Sequence, residues 1–368
     1  MRVTAVEARP LRSLSEVRVE LDDGIVSLIG PNGAGKTNLL EALYFALTGR
    51  SFRTSDRREL IPFGGQLARA EAVVRHGDGI EHRLLASVSR GEGRRHLLDG
   101  KPAEPAEVLR HRPSVAVFSP DRLVLVKGPP AERRAHLDRY VAARWPARAD
   151  LRRRYGQALA QRNALIARLA GGGPGADLDV WDAALADAAA PLVAARSEAV
   201  AELAPRFAVG AEELGLGGGG ELDYAPRAAG SGEEICAGLA ARREADLKLG
   251  RSSWGPHLDE LKIGLDGHAL RRYGSQGQQR VGLLALLFAE REALLAAHRV
   301  APLLLLDDVM SELDPERRER LVERLTRGGQ ALITAAATES VPAAALANPI
   351  MAPFELAQGV GRTRAEAA

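Results

Sequence analysis

A single cysteine, Cys236, stands among 368 residues, which excludes an intrachain disulfide framework. Long apolar runs are missing too. The run VGLLALLFA ends at Glu290, Arg291 and Glu292, too short to span a bilayer. The opening MRVTAVEARPL has no apolar signal core. These absences lead us to expect a cytoplasmic protein with no membrane partner. Lysine is scarce: Lys36, Lys101, Lys127, Lys248 and Lys262 are the only five among 50 basic residues. With 48 acidic residues the formal net charge is just +2. Abundant Ala, Arg and Gly also follow from a GC-rich genome, so arginine content alone carries no case for a nucleic-acid partner. No fixed-period repeat is visible.

What is present describes an ordinary globular chain, 46% hydrophobic and 27% charged. Its length favours two domains and allows a sizeable core. Residues 2–29 read as strands around the turn Asp22-Asp23-Gly24, and a helix is predicted from Lys36 to Leu47. Residues 67–75 and 80–88 read as paired strands across HGDG, RRHLLDGKPA as a turn between strands, and SVAVFSP as a buried strand. The texture then becomes helical. Residues 131–169 and 178–207 carry apolar stripes separated by GGGPGADLD, which predicts an antiparallel hairpin, either a packed lobe or a partner-binding arm. After LGLGGGGELDY, β-like sequence returns around ELKIGLDG. The order predicts an α/β fold with a mostly helical insertion: a discontinuous head of residues 1–118 and 249–368, and a lobe of residues 119–248.

GPNGAGKT, from Gly30 through Pro31, Asn32, Gly33, Ala34, Gly35 and Lys36 to Thr37, fits G-x-x-x-x-G-K-[ST] in full. It follows a predicted strand and opens a predicted helix, as a phosphate loop must. Backbone N–H groups and the helix N-terminus favour phosphate there. Lys36 is expected to reach the β- and γ-phosphates of ATP, Thr37 to bind Mg²⁺, and Asn38 to continue the loop's nucleotide contact. In PLLLLDDVMSELD the four leucines suit a central parallel strand covered on both faces. Asp307 and Asp308 follow at its C-terminal end, where α/β sheets place ligands. Asp307 is assigned to Mg²⁺. Asp308 either orients or deprotonates water beside the γ-phosphate or only caps the turn.

A second glycine-rich turn, Ser275-Gln276-Gly277-Gln278, opens another helix roughly 240 residues after Lys36. Its place before Asp307 matches the signature loop of ABC-type ATPases, which completes the nucleotide site of a second copy. The N–H groups of Ser275 and Gly277 at that helix start are then free to bind an anion, and the plainer alternative is an ordinary N-capped core helix. Ser311 to Asp314 fits the D-loop of the same superfamily, and Asp314-Pro315 also reads as a helix start.

Taken in order, five blocks resemble the RecF family of bacterial DNA replication and repair proteins: GPNGAGKTNLLEALYFALTGRSFRT, FSPDRLVLVKGPPAERRAHLD, GPHLDEL, GSQGQQR and LLLLDDVMSELD. The resemblance implies an ABC/SMC-like P-loop ATPase head, ATP-dependent homodimerisation, and sequence-independent binding to duplex, single-stranded or gapped DNA. It further implies weak, DNA-stimulated ATP hydrolysis, RecA loading with RecO and RecR, and support of the SOS response. Arg133 and Arg134 match the family's paired arginines and serve either DNA or an internal ion pair. Arg53 is a candidate phosphate or DNA contact. The chain departs from the family at Leu258 and Glu260, where Arg and Asp are expected. It also lacks the histidine that transporter ATPases carry after the D-loop strand, offering Thr334 and Thr338 instead. Gln66 is a weak match to a Q-loop glutamine. An ABC transporter subunit is the alternative function, disfavoured by the spacing between Lys36 and Ser275. The insertion of about 130 residues is also too short for a long coiled arm at ~1.5 Å per residue.

Overall fold

The structure, a computed structural model, describes residues 1–91, 93–172 and 178–352. Two compact units divide it. The first joins Met1–Arg122 to the described part of Leu294–Ala368, and the second is Leu123–Ala293. Residues 249–293, assigned to the head by sequence, cluster with the second unit. The physical reason is pairing: Glu260–Leu265 is laddered antiparallel to Gly220–Ala225, and buried Asp259 takes an ion pair from Arg196.

In the first unit, β1 (Ile25–Ile29), β2 (Val115–Phe118), β3 (Leu303–Leu306), β4 (Ala331–Ala335) and β5 (Pro349–Met351) form a parallel sheet in the order β5-β1-β4-β3-β2. Every residue of β1, β3 and β4 is buried, the pattern of strands covered on both faces. Because the strands are parallel, the residues after β1, β2 and β3 lie along one sheet edge. Those residues are Gly30, Ser119 and Asp307.

A six-stranded antiparallel sheet accompanies it, in the order Val17–Glu20, Arg2–Ala8, Leu67–Arg75, Glu81–Ser89, Gly93–Leu98 and Lys101–Pro102. The chain therefore changes sheets at Asp22–Gly24, where Gly24 takes a φ of 75°. The expected pairing of 67–75 with the following strand holds, in the register Leu67↔Ser89. Asp99 and Gly100 both have positive φ, 51° and 80°, as a tight two-residue hairpin requires. Helix α1 (Lys36–Thr48) buries Leu39, Leu40, Leu43, Phe45 and Leu47 in a core shared with both sheets. It stops at Gly49, whose φ of 64° suits a glycine C-cap.

In the second unit lie α2 (Pro130–Arg144), α3 (Leu151–Ala170) and α4 (Leu178–Glu213). Arg162, near the end of α3, pairs with Asp182 near the start of α4 at 2.6 Å, both fully buried. This fixes α3 and α4 antiparallel, while the run 131–169, read as one helix, is broken after Arg144 into α2 and α3. Helix α4 runs past Pro205 to Glu213 because Phe207 and Ala211 are buried. It also meets α2, where Arg196 makes two hydrogen bonds to Asp138. A three-stranded sheet of Gly220–Ala225, Glu260–Leu265 and His268–Ala269 follows, and α5 spans Gln276–His298.

Candidate nucleotide site

The loop after β1 is shaped by its glycines. Gly33 and Gly35 take φ of 84° and 90°, conformations that disfavour a Cβ. Gly30 carries a different constraint: an added Cβ would meet Ala352 at 2.7 Å. Lys36 folds back over the loop, and its Nζ donates to the carbonyls of Gly30 at 2.6 Å and Pro31 at 2.9 Å. Burial lowers the Lys36 pKa, opposed by the charges of Asp308 and Asp307. The ammonium is thus held inside the loop on neutral acceptors that a phosphate would replace.

Two hydroxyls converge on Asp307. Thr37 Oγ1 donates to Asp307 Oδ1 at 2.8 Å, and Thr334 Oγ1 donates to the same oxygen at 3.0 Å. Burial pushes the Asp307 pKa up, while these two donors and Arg53 pull the other way. Asp308 is half-buried with a φ of 53°, left-handed for a non-glycine residue. Such strain persists only where its surroundings enforce it. Here the Asp308 N–H donates to Thr334 Oγ1 at 2.7 Å, and its carbonyl accepts from Ser311 Oγ at 2.9 Å.

A cavity of about 370 Å³ opens beside these groups, lined by Asn32, Gly33 and Gly35 to Asn38 of the loop, with Phe52, Arg53, Ser119 to Asp121, Asp307, Asp308 and Thr334. Arg53 donates to Asn38 Oδ1 at 3.0 Å and to Glu41 Oε2 at 3.3 Å. Glu41 is fully buried and also accepts two hydrogen bonds from Arg12, at 2.9 and 3.0 Å. Glu41 and Ser119 were missed by sequence reasoning. Both fall inside motif blocks, so the available signal was their nearness to the phosphate loop and to β2. Gln66 does not line the cavity; its carbonyl accepts from the Arg90 N–H at 3.2 Å. Thr338 is exposed in a short 3₁₀ turn, so Thr334 alone stands beside the acids.

The second glycine-rich turn lies in the other unit. Ser275 N–H donates to Gln278 Oε1 at 2.8 Å, and Gln278 N–H donates to Ser275 Oγ at 3.2 Å. This reciprocal capping box corrects the expectation that the Ser275 N–H is free to bind an anion. The N–H groups of Ser275 and Gln278 are engaged by each other's side chains. Ser275 and Gln276 are exposed, and Gly277 is half-buried. Asp314 caps the helix Pro315–Thr326, accepting from the Arg317 N–H, so the helix-start reading of Asp314-Pro315 describes its local geometry.

The family model for the RecF/RecN/SMC N-terminal domain matches residues 2–352. The DNA replication and repair protein RecF of Streptomyces avermitilis is 38% identical over 360 residues, covering 93% of this chain and 95% of its own. The RecF of an Anaeromyxobacter species is 40% identical over 335 residues, covering 88% and 89%. The chain belongs to the RecF family. A solved structure of the recombination mediator protein RecF-ATP in the RecFOR pathway superposes with a TM-score of 0.84 at 29% identity, covering 95% of each chain. The fold is therefore that of a RecF-type ATPase head within the wider SMC class.

Within the RecF-like block 118–138, Arg133 is buried and bidentate on Glu260, at 2.7 and 3.1 Å, with a third bond to the Gly128 carbonyl. Of the two alternatives for this residue, the geometry is that of an internal ion pair. Glu260 makes this contact from the position where the family has Asp. Arg134 is half-buried and donates to the Asp259 carbonyl at 2.8 Å. Leu258, standing where the family has Arg, is exposed.

A cationic cluster outside the nucleotide cavity was not visible in the sequence. Arg57, Arg94 and Arg112 surround His96, whose pKa burial and those three charges lower to about 4. Arg94 is itself lowered by burial and by Arg57 and Arg50.

Proposed function

We propose that the chain binds ATP with Mg²⁺ in this cavity, and that ATP joins two copies which then hold DNA during recombinational gap repair. The observation that carries the nucleotide reading is the convergence of Thr37 and Thr334 on Asp307, beside the Lys36 ammonium and the phosphate loop. The all-oxygen pair of Thr37 and Asp307 suits a hard divalent cation, and the unpartnered, buried Ser119 Oγ leaves a further polar group at the cavity wall. Thr37 and Asp307 would hold Mg²⁺, which supplies positive charge to phosphate oxygens. Lys36 exchanges its two carbonyl acceptors for phosphate oxygens. Asp308, fixed through its own backbone by Thr334 and Ser311, presents its carboxylate to the cavity and takes a proton from water. It is one methylene shorter than the glutamate common in ABC enzymes, which favours slow hydrolysis. ATP then works as a conformational switch, with DNA stimulating a weak turnover.

Ser275, Gln276 and Gly277 are exposed or half-exposed at a helix start, which supports their use against the nucleotide of a second copy. The family relationship supports action with RecO and RecR in loading RecA, and a part in the SOS response. Among the described residues no helix is long and apolar enough to cross a membrane.

DNA contact should be mostly electrostatic, and the exposed Arg50 and Arg94 with half-exposed Arg57 offer it a location. A titration of gapped and plain duplex DNA across salt concentrations tests this. ATP should tighten binding, affinity should fall steeply with salt, and Arg57→Ala with Arg94→Ala should flatten the slope by about one for each arginine–phosphate pair removed. Equal affinity with and without ATP would remove the gating role.

A further inference from the structure

Three imidazoles from different elements meet in the first unit, outside the lining of the nucleotide cavity. His76 follows the strand Leu67–Arg75 and opens the HGDG turn, its N–H donating to the Ile80 carbonyl at 2.8 Å. His82 lies on the returning strand, opposite Val74. His111 follows the helix Pro105–Arg110. One potential ligand atom from each lies within 4.8 Å of the other two. The rings stand 4.3 Å apart for His82 and His111, 5.0 Å for His76 and His82, and 5.6 Å for His76 and His111.

Their hydrogen bonding is incomplete in an informative way. His76 Nε2 and His111 Nδ1 are buried with no partner, a state that folded proteins avoid without a reason. His82 Nδ1 is instead 2.7 Å from Asp99 Oδ2, and the other Asp99 oxygen accepts the Arg83 N–H at 2.8 Å. A carboxylate fixed in this way sets the tautomer and direction of an imidazole, leaving His82 Nε2 as the coordinating atom. That arrangement is the usual outer support of a metal-bound histidine. The tight β-turn at Asp99-Gly100 holds the carboxylate in place, since Asp99 itself has a φ of 51°.

We propose that His76, His82 and His111 bind a zinc ion, with Asp99 orienting His82. Three neutral nitrogen donors with no carboxylate or thiolate ligand match a zinc site with an open fourth position. Tetrahedral zinc with bonds of ~2.0–2.1 Å places its ligand nitrogens about 3.3 Å apart, inside the 4.8 Å within which the three atoms already lie, so the rings draw together on binding. The ion would tie the hairpin end at His76–Ile80 to the residues following Pro105–Arg110. Its ligand set is nitrogen, whereas Thr37 and Asp307 offer only oxygen, so the two sites are chemically distinct.

The experiment uses full-length protein treated with chelator, free of nucleotide, and titrated with zinc chloride by calorimetry. Cobalt absorption spectroscopy runs in parallel. One ion per chain is expected, with visible bands of tetrahedral cobalt and a rise in melting temperature on adding zinc. His76→Asn and His111→Gln should each weaken binding at least tenfold, and Asp99→Asn should weaken it ~10–100-fold. Cys236→Ser should bind as the parent does, which excludes the thiol. Folding of each variant is checked by circular dichroism. The proposal is overturned if folded parent protein shows no saturable zinc binding tighter than ~10 µM, or if a folded His76→Asn/His111→Gln double variant binds with the parent's affinity.

Discussion

Thr334 donates a hydrogen bond to Asp307 Oδ1 at 3.0 Å, and through its lone pair it accepts the Asp308 N–H at 2.7 Å. One hydroxyl, buried in β4, thereby ties together both acids at the end of β3. It serves both acids in a chain that lacks the histidine transporter ATPases carry after the corresponding strand.

Thr334→Val keeps the shape and removes the hydroxyl. It leaves the Asp308 N–H without its acceptor, at a cost of ~1–3 kcal/mol. The melting temperature should fall, and ATP turnover should fall further than ATP affinity, because Asp308 loses its anchor. Thr334→Ser should restore both. Turnover that is unchanged in Thr334→Val would show that Asp308 needs no such positioning.

Asp307→Asn probes the electrostatic cost of the site. The Asp307 pKa is raised by burial, so its ionised form opposes folding. Below the ordinary carboxylate pKa of ~3.9 the group is protonated in both states and the penalty is absent. It grows as pH rises towards the folded-state value and is complete above it. The Asn side chain can still accept from Thr37 and Thr334. At pH 7 the nucleotide-free variant should therefore melt higher than the parent, the gap closing as pH falls towards ~4. Stabilisation by ATP with Mg²⁺ should be lost. Thermal melts across pH, with and without nucleotide, measure both effects.

Arg133→Met separates a structural arginine from a DNA contact. Removing one partner of a buried ion pair typically costs ~3–5 kcal/mol, and Glu260, being partly exposed, places the loss at the lower end. Chemical denaturation should show this loss, and Arg133→Met with Glu260→Met should recover much of it. DNA affinity per folded molecule should not change. A selective loss of DNA binding at full stability would instead assign Arg133 to phosphate.

How much of this was legible in sequence follows from how local each feature is. The phosphate loop was readable because Gly30 to Thr37 are consecutive and their flanks announce strand and helix. The strand before Asp307 was readable because four leucines allow only a position covered on both faces. Thr334 was not, since its role arises from the parallel register of β3 and β4, which sets it against an acid 27 residues away. The same holds for Arg133 and Glu260, 127 residues apart. The second helical run was read as ending at Phe207, but α4 continues to Glu213, its last turns sustained by burial of Phe207 and Ala211. Residues 249–293 carried no compositional sign that strand pairing and the Arg196–Asp259 bridge would draw them to the second unit.

Light scattering of the purified protein with no nucleotide, ADP and ATP, for the parent and for Ser275→Arg, bears most directly on the sharing of ATP between copies. The parent should be monomeric without nucleotide and dimeric with ATP. Ser275→Arg should bind ATP with the parent's affinity yet stay monomeric, because the altered side chain would block only the neighbour's phosphates. A Ser275→Arg protein that dimerises normally with ATP, or a parent that binds ATP tightly and never dimerises, would contradict a site completed by a second chain.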